Sequence, residues 1–277
     1  MTSRLALAAA GFLCAVTGAG ANASPALPLV SHRAAYDLSL ADPASPPPSS
    51  ARTPISASGL IAYEFRGSPC VGYTSNFRQM TEMERSEGEP VSMEVNAQSF
   101  EDADGKSMRF EVESQGGQET PPVAGTATRD AHDDMHVVLT KPSAKSIAFG
   151  QNVLFPTQHI EKLIEVAKAG GGVVQARVYD GSDTGAKIFA TMAVVGKEAT
   201  KPSDDDKTAV ELQGVRRWPV VVSYFDENSK DFAPEYTLSF DLYENGVSGT
   251  LKLDYGQFAL RAQLRKLELL PTSACAK

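Results

Sequence analysis

The sequence predicts an all-β protein built from antiparallel strands, and its C-terminal part shows this most clearly. Apolar side chains alternate with polar ones over residues 236–242 and again over residues 247–255, which is the period of a strand with one buried face. The Asn245–Gly246 pair between these runs is a strong hairpin signal, because a type I′ turn requires positive φ at both central residues. A third alternating run at 258–264 extends the predicted antiparallel meander.

Shorter runs predict further strands along the rest of the chain. They lie at residues 36–40, 61–65, 91–97, 108–112, 137–140, 174–178, 188–195 and 220–225. The Asp104–Gly105 pair predicts a hairpin turn over residues 101–106, between two of these strands. In the last strand the alternation changes phase at Arg265–Lys266, which predicts a β-bulge.

One segment has the period of a helix instead. Apolar residues at 160, 163, 164 and 167 recur with the spacing of an amphipathic helix. Thr157 after Pro156 is the predicted N-cap, and Gly170 is the predicted stop. We expect this helix, over residues 157–169, to be a lid or plug packed on the sheet.

The first residues have the form of a secretory signal peptide. Arg4 precedes an apolar run at residues 5–16, and a small-x-small motif ends at Ala23. We therefore expect cleavage between Ala23 and Ser24, export of the chain, and a single domain over residues 24–277. The apolar run is shorter than the roughly 20 residues that a membrane-spanning helix needs, and no later run is longer, so we expect no transmembrane helix. The proline-rich stretch at 42–54 predicts an exposed loop rather than a domain boundary.

The charge balance excludes some classes of partner. The formal net charge is −8. This disfavours nucleic acid as a binding partner, because neutralising its phosphates requires clustered Lys and Arg side chains. It disfavours an anionic membrane surface for the same reason.

Two cysteines, Cys70 and Cys275, remain after removal of the signal peptide with Cys14. An even count in an exported chain favours a disulfide, whereas a cytosolic enzyme would keep the two thiols buried and reduced. Such a bridge would close a long loop and would fix the C-terminal residues, which otherwise fray.

The sequence contains few residues in arrangements typical of catalytic sites. The sequence lacks the nucleophile elbow of the α/β-hydrolases, the zinc-protease motif, the P-loop and the dinucleotide-binding motif. We therefore predict no catalytic residue, no cofactor and no metal ion. Asp180–Gly181 and Ser182–Asp183 are typical of turns, and residues 203–207 are interpreted as a solvated loop.

Two other clusters resemble metal sites and are interpreted otherwise. His132 and His136 would share one face of a helix, but the residues that follow predict a strand, in which they lie about 13 Å apart. Residues 102–105 resemble part of a calcium loop. Aligning Gly105 with the loop glycine puts Phe100 at the first ligand position, where an acidic side chain is required, so a hairpin turn is favoured.

Five segments together resemble a known family. In order along the chain they are HRAAYDLSL (32–40), GSPCVGYT (67–74), EDADGK (101–106), VLFPTQH (153–159) and YDGSD (179–183). Their combination is similar to the EipB family of periplasmic envelope-integrity proteins, and it spans nearly all of the exported chain.

This resemblance implies a fold, a disulfide and a type of partner. The fold would be a long antiparallel sheet wound as a β-spiral, or broken barrel, with one or two short helices. The family's two cysteines match Cys70 and Cys275, which implies that they are joined. The resemblance also implies a role in supporting the envelope under stress, a tetratricopeptide-repeat protein as partner, and a shape similar to that of periplasmic lipoprotein carriers.

We therefore expect a monomeric, non-enzymatic periplasmic protein that supports envelope integrity by binding a protein or a ligand. One alternative is a carrier that holds a lipid or a lipoprotein acyl chain in an apolar cavity. A second alternative is a periplasmic hydrolase that uses His159 or Asp183. An outer-membrane barrel is disfavoured by the low aromatic content of 8%, because such barrels need aromatic girdles.

Overall fold

In the computed structural model, the described residues form one sheet of fifteen strands, which is antiparallel apart from one pair at its edge. The strands are β1 (His32–Ala41), β2 (Pro54–Ser68), β3 (Gly72–Arg85), β4 (Val91–Glu101), β5 (Ser107–Gln115), β6 (Thr120–Arg129), β7 (Met135–Lys141), β8 (Lys145–Gly150), β9 (Val153–Leu154), β10 (Gly172–Val178), β11 (Phe189–Val195), β12 (Arg217–Asp226), β13 (Tyr236–Tyr243), β14 (Ser248–Asp254) and β15 (Ala259–Leu269). The helices are α1 (Pro156–Lys168) and α2 (Asp205–Thr208), and a 3₁₀ turn lies at Val210–Leu212.

The structure describes residues 29–42, 53–116, 120–201, 203–230, 233–272 and 275. The predicted signal peptide, its cleavage point between Ala23 and Ser24, and most of the proline-rich stretch lie outside the described residues.

The order of strands explains how the sheet closes. Each strand pairs with the next strand of the sequence, except that β8 does not pair with β9. The first and last strands, β1 and β15, also pair with each other. Consequently β1 lies inside the sheet, while β8 and the two-residue β9 form its two edges. All pairs are antiparallel except β9 with β10.

The two edges are consecutive in the chain, and one side chain of β10, the neighbour of the edge strand β9, bonds to residues at the β8 edge. Arg177 of β10 donates from Nη1 to the Gln151 carbonyl at 2.7 Å and from Nη2 to the Phe149 carbonyl at 3.0 Å. Its guanidinium also pairs with Glu227. The sheet is therefore nearly closed into a barrel, and the predicted all-β spiral, or broken barrel, is confirmed.

The register confirms the predicted bulge and corrects the predicted turn type. Ala35 pairs with Lys266 and Tyr36 with Leu264, so Arg265 is the extra residue of the bulge. Strands β13 and β14 form the expected hairpin, but of Asn245 and Gly246 only the glycine has positive φ (88°). The type I′ assignment is wrong because the connection has the four residues 244–247, and a left-handed glycine as its third residue then fits the strand twist.

Helix α1 begins one residue before the predicted start. Phe155 is the N-cap and Pro156 the first helical residue, so the prediction of Thr157 as N-cap is wrong. Proline is favoured at this position because its missing N–H would have no helical partner. Gly170 has φ of 108° directly after the C-cap residue Ala169, in agreement with the predicted stop.

The apolar face of α1 packs onto the inner face of the sheet, as the plug interpretation predicts. Leu163 and Ile164 are fully buried in one core cluster with Val195, Trp218 and Leu242. No helix of the described residues combines the length and the apolar character that crossing a membrane requires.

Residues 203–207 differ in part from the predicted solvated loop, because Asp204 and Lys207 are exposed but Asp205 is not. Residues 205–207 belong to α2, and Asp205 is buried, with its carboxylate accepting hydrogen bonds from the Thr250 amide at 2.7 Å and from the Thr250 hydroxyl. The local sequence looks solvated because the partner, Thr250, is distant in the chain.

A disulfide joins Cys70 and Cys275 in the structure, with their Cα atoms 5.5 Å apart. Cys70 lies in the turn between β2 and β3, and Cys275 follows β15. The two residues are 205 positions apart in the sequence, so the bridge restricts most of the unfolded chain.

We predict that replacing Cys70 with serine lowers the thermal stability of the oxidised protein. In the loop-entropy model, losing a closure of this length costs about 5 kcal/mol. Thermal unfolding with and without dithiothreitol measures the effect, with Cys275→Ser as the matched variant. Reductant should lower the Tm of the wild type and leave both variants unchanged. A wild-type Tm that is insensitive to reductant would contradict the bridge.

Candidate functional site

An apolar cavity of about 230 Å³ lies inside the sheet, beside helix α1. Strands β1, β2 and β3 form one wall, β13, β14 and the turn between them form the other, and Ile160 of α1 lies between the walls. We call this space the interior cavity. Its lining residues are His32, Tyr36, Ile61, Tyr63, Phe77, Ile160, Leu238, Gly246, Ser248, Leu251 and Leu253.

The alternation of the strands places these side chains on one face. Tyr36 lies opposite Ile61 across β1 and β2, and Tyr63 lies opposite Phe77 across β2 and β3. On the other wall, Leu238 lies opposite Leu253. Directly opposed side chains in a sheet are close enough to pack, so each cross-strand pair builds one part of the wall.

The aromatic lining continues beyond the cavity toward the end of the sheet at which β13 begins. Tyr236 lies two residues before Leu238 on the same face of β13, and its ring stacks on that of Tyr224 with centroids 4.5 Å apart. Tyr255 follows Leu253 in the same way and stacks on Phe258 at 5.0 Å. Aromatic rings therefore line the inner face of strands β12 and β13, and of the connection after β14, between the cavity and this end.

The polar groups of the cavity wall are few, and most have partners. The Tyr36 hydroxyl donates to the Ser248 carbonyl at 2.7 Å, and His32 Nδ1 donates to the Val30 carbonyl at 2.9 Å. Burial lowers the pKa of His32, so its ring is neutral near pH 7 and Nε2 is an acceptor. Such a wall suits an apolar ligand with very few hydrogen-bonding groups.

A smaller pocket of about 70 Å³ adjoins the interior cavity and shares His32, Tyr63 and Ile160 with it. Glu101 and Thr157 line this pocket, so it forms a polar end to the apolar space.

Glu101 connects the sheet to the N-terminus of α1. Its carboxylate accepts a hydrogen bond from the Thr157 amide at 3.0 Å and one from the Thr157 hydroxyl at 2.9 Å. These bonds satisfy an amide that has no partner within the helix. Burial raises the pKa of Glu101 to about 7, although the bonds from Thr157 act in the opposite direction.

A second contact holds the same end of the helix. The Gln158 Oε1 atom accepts from the Phe155 amide at 3.0 Å and from Arg129 Nη2 at 2.8 Å. Arg129 also lies over the Phe155 ring, 4.7 Å from its centroid. Strands β4 and β6 thereby determine where α1 starts and hence where Ile160 meets the cavity.

The residues considered for hydrolysis do not form a catalytic group. His159 is buried on α1 with Nε2 3.5 Å from the Thr191 hydroxyl, and burial lowers its pKa to about 4. Asp183 is an exposed residue of the connection between β10 and β11, and it pairs with Lys187 at 3.4 Å. No hydrogen bond or ion pair among the described residues joins His159 to Asp183.

The two segments that resembled metal sites form turns, as predicted. Residues 102–106 connect β4 to β5, and the Gly105 amide donates to the Asp102 carbonyl at 2.9 Å. His132 lies in the turn before β7, and His136 lies in that strand, 3.4 Å from Asp130. Among the described residues the structure contains no group of three His, Cys, Asp or Glu side chains suited to a metal ion.

Glu101 was not predicted as a residue of the site, because the sequence places it only in the turn over residues 101–106. A signal was available, since Glu101 has the phase of Ala97 and Ser99 and therefore falls on the inner face of β4. A carboxylate at such a position requires a hydrogen-bonding partner. The partner, Thr157, could not be identified from spacing along the chain.

Comparison with known proteins gives consistent results. A model of the EipB-like family matches residues 23–271. The "Cell envelope integrity protein EipB" of Brucella abortus is 37% identical over 285 aligned positions, which cover 99% of each protein. A crystal structure of a β-barrel-like protein with a domain of unknown function, also from Brucella abortus, superposes with a TM-score of 0.80 at 34% identity, covering 89% of this chain and 100% of that one.

The ionisation of Glu101 leads to a prediction about stability. The pKa of Glu101 is about 7 in the folded state and 4.5 unperturbed. Between these values the folded protein retains a proton that the unfolded chain has lost, so the contribution of Glu101 decreases as pH rises and is lost above pH 7. The change is about 3 kcal/mol.

Glu101→Gln removes this titration while keeping an acceptor for Thr157. Urea unfolding of both proteins from pH 4.5 to pH 8 measures the difference in their free energies of unfolding. We expect this difference to shift in favour of the variant as pH rises, by about 3 kcal/mol. His159 has a lowered pKa, so its protonation destabilises the fold as pH falls. This contribution is the same in both proteins and cancels in the difference between their free energies of unfolding. A difference that is constant over this range would show that Glu101 titrates normally.

Proposed function

The chain belongs to the EipB-like family, and on that basis we propose that it supports the integrity of the cell envelope by binding an apolar group in the interior cavity. The name of the Brucella abortus relative supports the envelope role. The observation that carries the binding mechanism is the cavity itself, with its aliphatic and aromatic lining.

The size and shape of the cavity suit part of a chain-like molecule. Ligand pockets commonly measure about 300–1,000 Å³, so about 230 Å³ accommodates a segment rather than a whole lipid. The aromatic side chains of Tyr236 and Tyr255, which lie next to each other beyond the cavity, offer further apolar surface along the same inner face. We propose an acyl chain of a lipid or lipoprotein as the occupant.

Recognition rather than turnover agrees with the placement of the candidate catalytic groups. His159 faces Thr191 instead of a carboxylate, and Asp183 is held by Lys187 at the surface. We therefore propose a non-enzymatic role.

The proposed location is the periplasm, where the chain would act as one monomeric domain over residues 24–277. Support comes from the signal-like segment that ends at Ala23 and from the disulfide, a type of bond that persists in oxidising compartments. A tetratricopeptide-repeat partner stays a prediction.

We predict that narrowing the interior cavity weakens the binding of an apolar probe. Leu253→Trp adds bulk at a half-buried wall position, whereas Val138→Trp adds the same side chain on the outer face of β7, where Val138 is 50% exposed. Titration with the fluorescent probe N-phenyl-1-naphthylamine should show at least a tenfold weaker affinity for Leu253→Trp. The affinity of Val138→Trp should equal that of the wild type.

The same two variants test the envelope role in cells. A strain that lacks the protein should be sensitive to detergent, and Val138→Trp should restore resistance whereas Leu253→Trp should not. Circular dichroism must first show that both variants are folded. Equal probe affinity of all three proteins, or full complementation by Leu253→Trp, would overturn the binding mechanism.

A further inference from the structure

The outer face of the sheet carries a larger cavity, of about 540 Å³, across β15, β1, β2, β3 and β4. We call it the outer groove. Ala35 and Ala62 lie opposite each other in register at its centre, and their small side chains leave room between the longer side chains on either side. The outer groove is thus a product of residue size at two adjacent positions of a curved sheet.

Amide side chains line one side of the outer groove. Asn76 and Gln98 lie directly opposite each other on β3 and β4, and neither side chain has a hydrogen-bond partner among the described residues. Asn96 donates from Nδ2 to Glu94 at 2.9 Å, which leaves its carbonyl oxygen available. Each free amide offers two donors and one acceptor oxygen, so this wall can both donate and accept hydrogen bonds.

The charged side chains of the groove largely neutralise one another. Arg33 pairs with Glu64 and lies 4.0 Å from Glu268, and Arg78 pairs with Glu94 at 2.9 Å. Lys266 adds one cation at the rim. A site for phosphate or for a polyanion would require clustered unpaired cations, so the ligand that fits this balance is close to neutral.

A peptide is a poorer fit than a polyhydroxyl compound. Strands β1, β2, β3 and β4 are paired on both sides where they line the outer groove, so none of them offers a backbone edge for an added strand. Strand β15 pairs with β14 only up to Ala262, and its unpaired edge beyond that residue is on the side away from β1 and the groove. The backbone of a peptide would therefore depend entirely on side chains for its hydrogen bonds. A hydroxyl group donates and accepts hydrogen bonds at the same atom. It can therefore bond to the amide side chains and to the charged side chains that line the groove.

From this geometry we propose that the outer groove is a binding site for a neutral oligosaccharide. The methyl groups of Ala35 and Ala62 would contact the apolar face of a sugar ring, and Asn76 and Gln98 would bond its hydroxyls. The site lies on the face of the sheet opposite to the interior cavity, and it does not depend on the function proposed for that cavity.

The test uses the full exported chain and three probes: the tetramer of N-acetylglucosamine, cellotetraose and maltotetraose. Calorimetry measures affinity, and amide chemical shifts locate the site. We expect at least one probe to bind and to shift the amide signals of residues 35, 62, 76 and 98. Ala62→Leu should weaken that binding at least tenfold, because it fills the floor of the groove from an exposed position of β2 without disturbing the core.

Ala124→Leu is the matched control. Ala124 lies on the outer face of β6, opposite Glu111 and outside the groove, so this variant should bind the sugar as the wild type does. Asn76→Ala with Gln98→Ala should weaken binding independently of groove volume. The proposal is overturned if none of the three probes binds, if shifts occur at residues 61, 251 and 253 instead, or if Ala62→Leu binds as tightly as Ala124→Leu.

Discussion

The sheet nearly closes on itself, and helix α1 is the element that fills the interior space which this closure creates. A closed sheet places one face of every strand inside, where apolar side chains must be covered. Leu163 and Ile164 of α1 provide that cover against Trp218 and Leu242. Because α1 fills one part of the interior and leaves the space beside Ile160, the position of the helix decides where the interior cavity lies.

Contacts from distant strands determine the position of α1. Glu101 at the end of β4 bonds the Thr157 amide, and Arg129 at the end of β6 bonds Gln158. Burying a carboxylate at this point costs free energy, and the raised pKa of Glu101 expresses that cost. The benefit is geometric, since the start of α1 is held to the strands that it must meet.

The same strands present different chemistry on their two faces. Along β1, Ala34 and Tyr36 point inward, whereas Ala35 between them forms part of the outer groove. Along β2, Ile61 and Tyr63 contribute to the interior cavity, and Ala62 contributes to the groove floor. Because side chains of a strand alternate between faces, neighbouring residues can serve an apolar cavity and a polar groove at once.

Strands with clear alternation, and the helix, could be predicted from the sequence because their period is local. The bulge at Arg265 was visible for the same reason. Residues that depend on distant partners were not visible: Asp205 looks like part of a solvated loop until Thr250 is placed beside it, and Glu101 looks like part of a turn. The long strand β3 lacks a clear alternation of apolar residues, so its pairing with β2 and β4 follows only from the whole sheet. The disulfide was expected from the residue count and from the family resemblance, and neither source indicates how the sheet closes.

The most direct test of this account is a crystal structure determined under xenon pressure. An apolar cavity that stays dry binds xenon, because the atom fills space without needing hydrogen bonds. We predict xenon density in the interior cavity, in contact with Leu238, Leu251 and Leu253. Hydrogen-bonded water in this space, or side chains that have moved to fill it, would contradict the account.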